Sequence, residues 1–169
     1  YQGTELWDFS LVDPDNRRPV AFEPRRAFLE ELRRRGRSGT GSLLQELLQD
    51  PRDGRVKMYL TFKVLSFRKR HPDLFDHGDY LSLSASGAQR SRVVAFVRRL
   101  ENRWLVAAVP RLPAGLSPEG GWPLGEEAWG DTRIKLPPGC PRRLVDLFSG
   151  RGLDTGSRLE MGRATRRFP

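Results

Sequence analysis

The sequence predicts an α+β protein in which helices come first and an antiparallel β domain follows. Before Pro72, apolar side chains recur at the three- and four-residue spacing of amphipathic helices. After Pro72 they alternate with polar residues, which is typical of half-buried strands. We therefore expect a division into residues 1–77 and 78–169.

The first half predicts three helices. The first covers residues 24–35, with proline suited to its first turn and Gly36 as its terminator. The second begins at Ser42, which has capping-box spacing to a glutamine, and ends before Pro51. The third covers residues 53–71 and carries a wide apolar arc.

The second half predicts five or more short antiparallel strands, a number that suggests a β-sandwich or Greek key. Glu101 and Asn102 are expected to form a hairpin turn, and the Gly- and Pro-rich residues 113–125 a long loop. The strands are expected around residues 81–83, 93–97, 104–108, 132–136, 143–148 and 159–161.

Composition excludes several classes of protein. The net charge of +9 permits a nucleic-acid partner, but the arginines are interleaved with acids and form no known RNA- or DNA-binding motif, so we expect none. A single cysteine excludes an internal disulfide, and no apolar run approaches the roughly 20 residues of a membrane span. We expect a cytoplasmic protein without a membrane partner.

We also expect neither a metal nor a cofactor. Two histidines, His71 and His77, and one cysteine cannot supply a strong zinc site. The aspartates at residues 73–79 lack the glycine and glutamate of a calcium loop. Cys140 lies in a Pro- and Gly-rich turn far from either histidine in sequence, so we interpret it as a structural or surface thiol and not as a nucleophile.

The first nineteen residues combine aromatic rings, acids and paired arginines without helical or strand periodicity. Tyr1 and Trp7 offer flat apolar faces, while Asn16, Arg17 and Arg18 offer hydrogen-bond donors. Four acidic side chains supply acceptors. Such a mixture suits a sugar-binding loop, and it equally suits an ion-pair cluster that ties down a loop. Residue types alone do not decide between them.

Two runs of sequence resemble the maltooligosyl trehalose synthases, a branch of the α-amylase superfamily. Residues 1–5 are Tyr-Gln-Gly-Thr-Glu, and residues 13–19 are Asp-Pro-Asp-Asn-Arg-Arg-Pro, as at the eighth barrel strand of that family. Residues 65–75, Leu-Ser-Phe-Arg-Lys-Arg-His-Pro-Asp-Leu-Phe, with Gly-Asp-Tyr at residues 78–80, look like the last barrel helix entering the C-terminal β domain. Beyond Tyr80 the resemblance is weaker.

The resemblance implies a C-terminal portion of such an enzyme. Residues 1–77 would be the eighth-strand loop and about three helices at the end of a (β/α)8 TIM barrel, and residues 78–169 the β domain. A whole barrel takes about 250 residues, so the chain would be a fragment. The parent would be an isomerase of trehalose biosynthesis that turns the reducing-end α-1,4 link of a maltooligosaccharide into an α-1,1 link by intramolecular transglucosylation.

The resemblance also implies roles for individual residues. The superfamily's catalytic carboxylates come from barrel strands four, five and seven, so this chain should contain no catalytic residue and be inactive without the missing N-terminal barrel. Asn16, Arg17 and Arg18 would hold the sugar, and Glu5 would support the barrel mouth. Asp13 and Asp15 would hold the arginines in place.

Two other functions stay open on sequence alone. A stand-alone carbohydrate-binding or structural β module could use Trp104, Trp122 and Trp129 as an aromatic platform, although a hydrophobic plug is the simpler interpretation of such tryptophans. A basic nucleic-acid-binding domain is the other alternative, and it predicts affinity that falls steeply with salt.

Overall fold

A computed structural model describes residues 2–117 and 121–169, except for the side chain of Asn16. It divides into two compact units, Tyr1–Phe67 and Arg68–Pro169. Helices and antiparallel sheets are both present, which confirms the predicted α+β class. The assignment of residues 1–77 to a barrel and 78–169 to a β domain stays a prediction.

The first unit contains helices α1 (Phe22–Ser38) and α2 (Gly41–Gln49) and most of α3 (Arg55–Arg70). Short 3-10 turns occupy Asp15–Arg17 and Pro51–Asp53. The apolar stripes form the core of this unit because each helix turns its leucines or large apolar residues inward. Its buried side chains include Leu32, Leu43, Leu44, Leu47, Val56, Met58 and Tyr59.

Two predicted helix ends were wrong. Helix α1 continues through Gly36 and ends at Ser38, and Gly39 at the C-cap position has a φ of 131°. A glycine inside a helix costs only about 1 kcal/mol relative to alanine, and the packing of the apolar face outweighs that cost. Helix α2 begins at Gly41, with Thr40 at the N-cap position and no side-chain cap, so the capping box at Ser42 does not form.

An ion-pair network joins the three helices of this unit. Arg55 at the start of α3 donates to Glu46 of α2 at 3.1 Å and lies 3.5 Å from Glu31 of α1. Arg35 of α1 lies 3.2 Å from Glu31 and 2.8 Å from Glu46. The hydrogen bond from Arg35 is the largest cause that lowers the pKa of Glu46 below its ordinary value.

The second unit follows α4 (Pro72–Asp76) with two three-stranded sheets and a two-stranded one. The sheet orders are β1-β3-β4, β2-β5-β8 and β6-β7, and all the strand pairs are antiparallel. The strands are β1 (Asp79–Leu83), β2 (Ala85–Ser86), β3 (Val93–Leu100), β4 (Arg103–Pro110), β5 (Arg133–Lys135), β6 (Arg143–Val145), β7 (Gly152–Asp154) and β8 (Arg158–Glu160).

The predicted hairpin is confirmed. Strands β3 and β4 pair from Val93↔Pro110 to Leu100↔Arg103, and Glu101 takes a positive φ of 54° at the turn. The described part of the predicted 113–125 loop contains no strand or helix until its last residue. Gly125 begins helix α5 (Gly125–Trp129), which was not predicted.

The core of the second unit draws side chains from both three-stranded sheets and from α5. Ala95 of β3, Ile134 of β5 and Leu159 of β8 belong to one buried cluster. Trp129 belongs to the same cluster, fully buried, and its indole N–H donates to the Pro123 carbonyl at 2.8 Å. The buried ring therefore has its polar edge satisfied. The chain ends in a short helix, α6 (Met161–Ala164).

No helix in the described part of the chain is long and apolar enough to cross a membrane.

Candidate functional site

The N-terminal loop, residues 2–20, is the segment to which sequence analysis assigned function, and helix α3 holds its first part. Lys57 donates to the Leu6 carbonyl at 3.0 Å, and its ammonium lies 5.6 Å from the centre of the Trp7 ring. The Trp7 indole donates to the carbonyl of Pro51. Hydrogen bonds and a cation–π contact thus fix Leu6 and Trp7 against the helix.

Gly54 makes the close approach of the loop to α3 possible. It has a left-handed φ of 77°, and a Cβ atom built on it would lie 2.8 Å from the backbone nitrogen of Trp7. Glycine adopts this conformation without steric cost and leaves room for the neighbouring backbone. The short sequence between Pro51 and Arg55 therefore positions the loop.

Arg25 of helix α1 contacts the start of the loop and the residue that follows its end. Its guanidinium donates to the carbonyls of Gly3 at 2.7 Å and Ala21 at 2.9 Å. Glu5 lies 3.6 Å from Arg25 Nε as an ion pair, half-exposed to solvent. Glu5 therefore supports the loop through Arg25. Its predicted role at a barrel mouth stays a prediction.

The two predicted sugar-binding arginines are held by different groups. Arg17 forms a two-pronged ion pair with Asp13, at 3.0 Å from Nε and 2.6 Å from Nη2. Arg18 donates from Nε to the main-chain carbonyl of Asp15 at 3.0 Å and from Nη2 to the Ser10 hydroxyl at 2.7 Å. Both guanidinium groups are thus oriented, and neither is buried.

Ser10 links Arg18 to a further acid. Asp8 accepts hydrogen bonds from the Ser10 hydroxyl at 2.6 Å and from its amide at 2.9 Å. These bonds lower the pKa of Asp8 below its ordinary value. The lowered pKa favours the charged carboxylate, which accepts the hydroxyl proton of Ser10 while the hydroxyl oxygen accepts from Arg18.

Asp15 and Asn16 are the remaining residues that were predicted to contact or support a sugar. The side chain of Asn16 and all of Tyr1 lie outside the described residues. The Asp15 carboxylate has no ion pair with a described residue, so Asp15 holds Arg18 only through its main-chain oxygen. Asp13 and Arg17, by contrast, are in direct contact.

This arrangement offers exposed donors and acceptors in a fixed geometry. The side chain of Arg17 is 75% exposed although both Nε and Nη2 are bonded to Asp13, and its Nη1 is bonded to no described residue. Arg18 likewise uses Nε and Nη2 within the loop. A guanidinium held in this way can donate to neighbouring hydroxyl oxygens without first losing its own side-chain freedom.

Sequence analysis missed the residues that support the loop. Gly54, Lys57 and Arg25 lie outside it in sequence, and none belongs to the runs that carried the resemblance. The one local signal was the turn-like Asp50-Pro51-Arg52-Asp53-Gly54 segment, which indicates a left-handed glycine but not its neighbour.

The alternative aromatic platform loses one of its three members, because Trp129 is fully buried in the core of the second unit. This agrees with the simpler interpretation as a hydrophobic plug. Trp104 is half-buried, with the Arg99 guanidinium 5.4 Å from its ring centre, and Trp122 is half-buried as well.

No cluster of three or more potential metal-ligating side chains occurs among residues 2–117 and 121–169. Cys140 is half-buried, and burial raises the pKa of its thiol above the ordinary value. A raised pKa disfavours the nucleophilic thiolate. This environment supports the interpretation of Cys140 as a structural or surface thiol.

The chain is similar to one portion of much longer proteins. No family model matches the chain. Two curated relatives from Mycobacterium tuberculosis, strains CDC 1551 / Oshkosh and ATCC 25618 / H37Rv, are each 34% identical over 154 residues. Both are named putative maltooligosyl trehalose synthase, and the match covers 88% of this chain but 17% of each relative.

Solved structures give the same result. A mutant of maltooligosyltrehalose synthase from Arthrobacter ramosus is 34% identical, with a TM-score of 0.71, and the match covers 100% of this chain and 19% of that one. Another structure of the Arthrobacter ramosus enzyme gives 33% identity and a TM-score of 0.68. The chain is similar to the C-terminal portion of maltooligosyl trehalose synthases, which confirms the resemblance seen in its sequence.

Proposed function

We propose that the chain works as the C-terminal portion of a maltooligosyl trehalose synthase, an isomerase that turns the reducing-end α-1,4 link of a maltooligosaccharide into an α-1,1 link. The main support for this proposal is the match of the whole chain to the Arthrobacter ramosus structure at 34% identity. The two chains therefore share sequence as well as fold. A cytoplasmic location and a role in trehalose biosynthesis form part of the proposal.

In this proposal residues 1–77 complete a (β/α)8 barrel and residues 78–169 form a β-sandwich or Greek-key domain. Three helices preceded by an exposed loop suit the end of a barrel, where loops build the active site. The exposed apolar side chains Phe9 and Leu11, at 85% and 89%, suit contact with further protein. The N-terminal barrel of the same enzyme is the partner that we propose for them.

The proposed chemistry gives the loop a specific task. A glucose released from the chain end must turn and attack through its anomeric hydroxyl before water does, so donors must hold it in place. Arg17 and Arg18 would donate to its hydroxyls, with Asn16 beside them. Asp13 orients Arg17 by direct contact, which supports a positioning role for that acid.

Substitution of the arginines in the full-length enzyme tests this role. Arg17→Ala or Arg18→Ala should reduce trehalose formation by roughly 10- to 100-fold, because the loss of a donor in a site costs about 1–3 kcal/mol. Hydrolysis to free glucose should rise relative to trehalose formation, because a looser pocket admits water. The melting temperature should change little, since both side chains are exposed.

The exposed Arg26, which pairs only with Glu23 among the described residues, at 3.3 Å, provides a matched control. Arg26→Ala should leave the product ratio unchanged. A lowered melting temperature with parallel loss of both activities in the Arg17 or Arg18 variant would instead mean that these arginines serve only to tie down the loop.

The isolated chain should neither form trehalose ends nor hydrolyse maltodextrin, because we place the catalytic carboxylates in the barrel. Incubation of the pure chain with maltooligosaccharides, followed by analysis of reducing ends, measures this directly. Turnover by the chain alone would contradict the proposal that the catalytic carboxylates lie in the N-terminal barrel.

A further inference from the structure

A groove lined by both polar and apolar residues lies in the second unit. It has a volume of about 760 Å³ and follows the outer face of the β2-β5-β8 sheet and the turn that leads to β6. This volume falls within the range of small-molecule sites, about 300–1,000 Å³. We name it the cationic groove, after its lining residues Arg133, Lys135, Arg142 and Arg158.

Strand register places three of these cations side by side. Arg133 and Lys135 are two residues apart on β5, so they share a face of the strand, while Ile134 between them is fully buried on the other. Lys135 pairs directly with Arg158 of β8. Like charges directly opposite on neighbouring strands destabilise a sheet, and a bound anion would remove that repulsion.

The cations have no acidic partners within the described residues. None of the four side chains takes part in an ion pair there, and Glu160, which pairs with Arg133 in register, is joined to Arg163 at 2.9 Å. The Nε of Arg133 is buried without a hydrogen-bond partner from the described residues. The positive charge of the groove is therefore compensated by no direct ion pair within the described residues, and Glu160 is the acid that lies opposite Arg133 in register.

Hydroxyl groups and apolar residues, among them Leu136, Pro137 and Pro138, make up the rest of the lining. Ser84, Ser86 and Ser157 border the groove, and Ser86 pairs in register with Arg133. Hydroxyls both donate and accept, so they suit the polar body of a small ligand, while the cations suit its charge. A groove of about 760 Å³ suits a small molecule, whereas a nucleic acid is bound by an extended basic patch or stripe.

We propose that the cationic groove binds a small phosphate compound, either a pyrophosphate or a phosphorylated sugar. The proposal concerns the second unit only and does not depend on the activity proposed above. Arg133, Lys135 and Arg158 would contact the phosphate oxygens, and the serines would contact the remainder of the ligand.

Cys140 makes the proposal testable in the unmodified chain. It lines the groove and is the only cysteine of the sequence. Pyrophosphate and, separately, glucose 6-phosphate at millimolar concentration should slow alkylation of Cys140 by a thiol reagent, while glucose should not. In the double variant Lys135→Gln/Arg158→Gln, the concentration needed for protection should rise at least about tenfold, because charge-assisted hydrogen bonds are lost.

Arg151→Gln is the matched control, because Arg151 is exposed and does not line the groove. This variant lowers the net charge but should keep the protection. Protection by pyrophosphate alone, by glucose 6-phosphate alone or by both supports the proposal and distinguishes the two sources of phosphate. Absence of protection by either phosphate, equal protection by glucose, or protection unchanged in the double variant would overturn it.

A second measurement guards against a folding defect in the double variant. Without ligand its melting temperature should equal or exceed that of the unsubstituted chain, because the repulsion between Lys135 and Arg158 is gone. Pyrophosphate should raise the melting temperature of the unsubstituted chain and not that of the variant. Equal rises in both would count against the groove as the binding site.

Discussion

Replacement of Gly54 by alanine should destabilise the first unit and displace the N-terminal loop. Alanine in the left-handed conformation, here a φ of 77°, costs about 1–2 kcal/mol. Its Cβ would also lie 2.8 Å from the backbone nitrogen of Trp7 and 3.1 Å from the Cα of Leu6, and relief of such overpacking typically costs about 1–3 kcal/mol. We expect the free energy of unfolding to fall by about 2–5 kcal/mol.

Urea unfolding of the 169-residue chain measures this change. With slopes of about 1–3 kcal/mol per molar urea, the midpoint should fall by at least roughly 0.7 M. Gly36→Ala is the matched control, because nothing lies within 4 Å of its added Cβ and the position is inside helix α1. That substitution should stabilise by about 0.5–1 kcal/mol.

Gly54→Asn separates the two causes. Asparagine tolerates the left-handed conformation better than alanine but carries the same Cβ, so most of the remaining loss would come from the contact with Trp7. An unfolding free energy for Gly54→Ala within about 0.5 kcal/mol of the unsubstituted chain would refute the argument, because surface substitutions without a specific conflict fall in that range.

Two further predictions concern the cores and the ion-pair network. Because the folded pKa of Glu46 is lowered, its contribution to stability is present above the ordinary carboxyl pKa and is lost as the pH falls through the folded value. Urea midpoints measured down an acid series should therefore fall less steeply in Glu46→Gln than in the unsubstituted chain, and identical slopes would contradict the assignment. Trp129→Ala should lower the unfolding free energy by about 3–5 kcal/mol. Trp129→Phe should lower it by distinctly less, because this variant keeps an aromatic ring and loses only part of the ring and the hydrogen bond to Pro123. Equal losses in calorimetry would show that burial of the ring is not the main contribution.

The sequence predicted the long periodic elements and failed where short-range signals competed with packing. The β3–β4 hairpin was predictable because eight-residue strands show a clear period of two. Strands β2 and β7 were missed, since two or three residues cannot display a period. The end of helix α1 was predicted wrongly at Gly36 because a glycine that terminates a helix and one inside a helix look alike in sequence.

In the N-terminal loop, too, local contacts were predictable from sequence and distant contacts were not. Its residue types and its resemblance to a known family pointed to Arg17 and Arg18, and the Asp13–Arg17 contact lies only four residues apart. The contacts that hold the loop in place, from Arg25 and Lys57, join residues 22 and 51 positions apart. No periodicity or motif encodes such pairs, because they arise only when helices α1 and α3 take their places.

The spacing of Gly54 and Lys57 limits where the chain can change in length. These two residues lie three positions apart near the start of α3, and both meet residues 6 and 7 of the loop. One residue inserted between them would turn Lys57 by about 100° around the helix and carry its ammonium away from Leu6 and Trp7. Insertions and deletions among homologues should therefore avoid the first turn of α3.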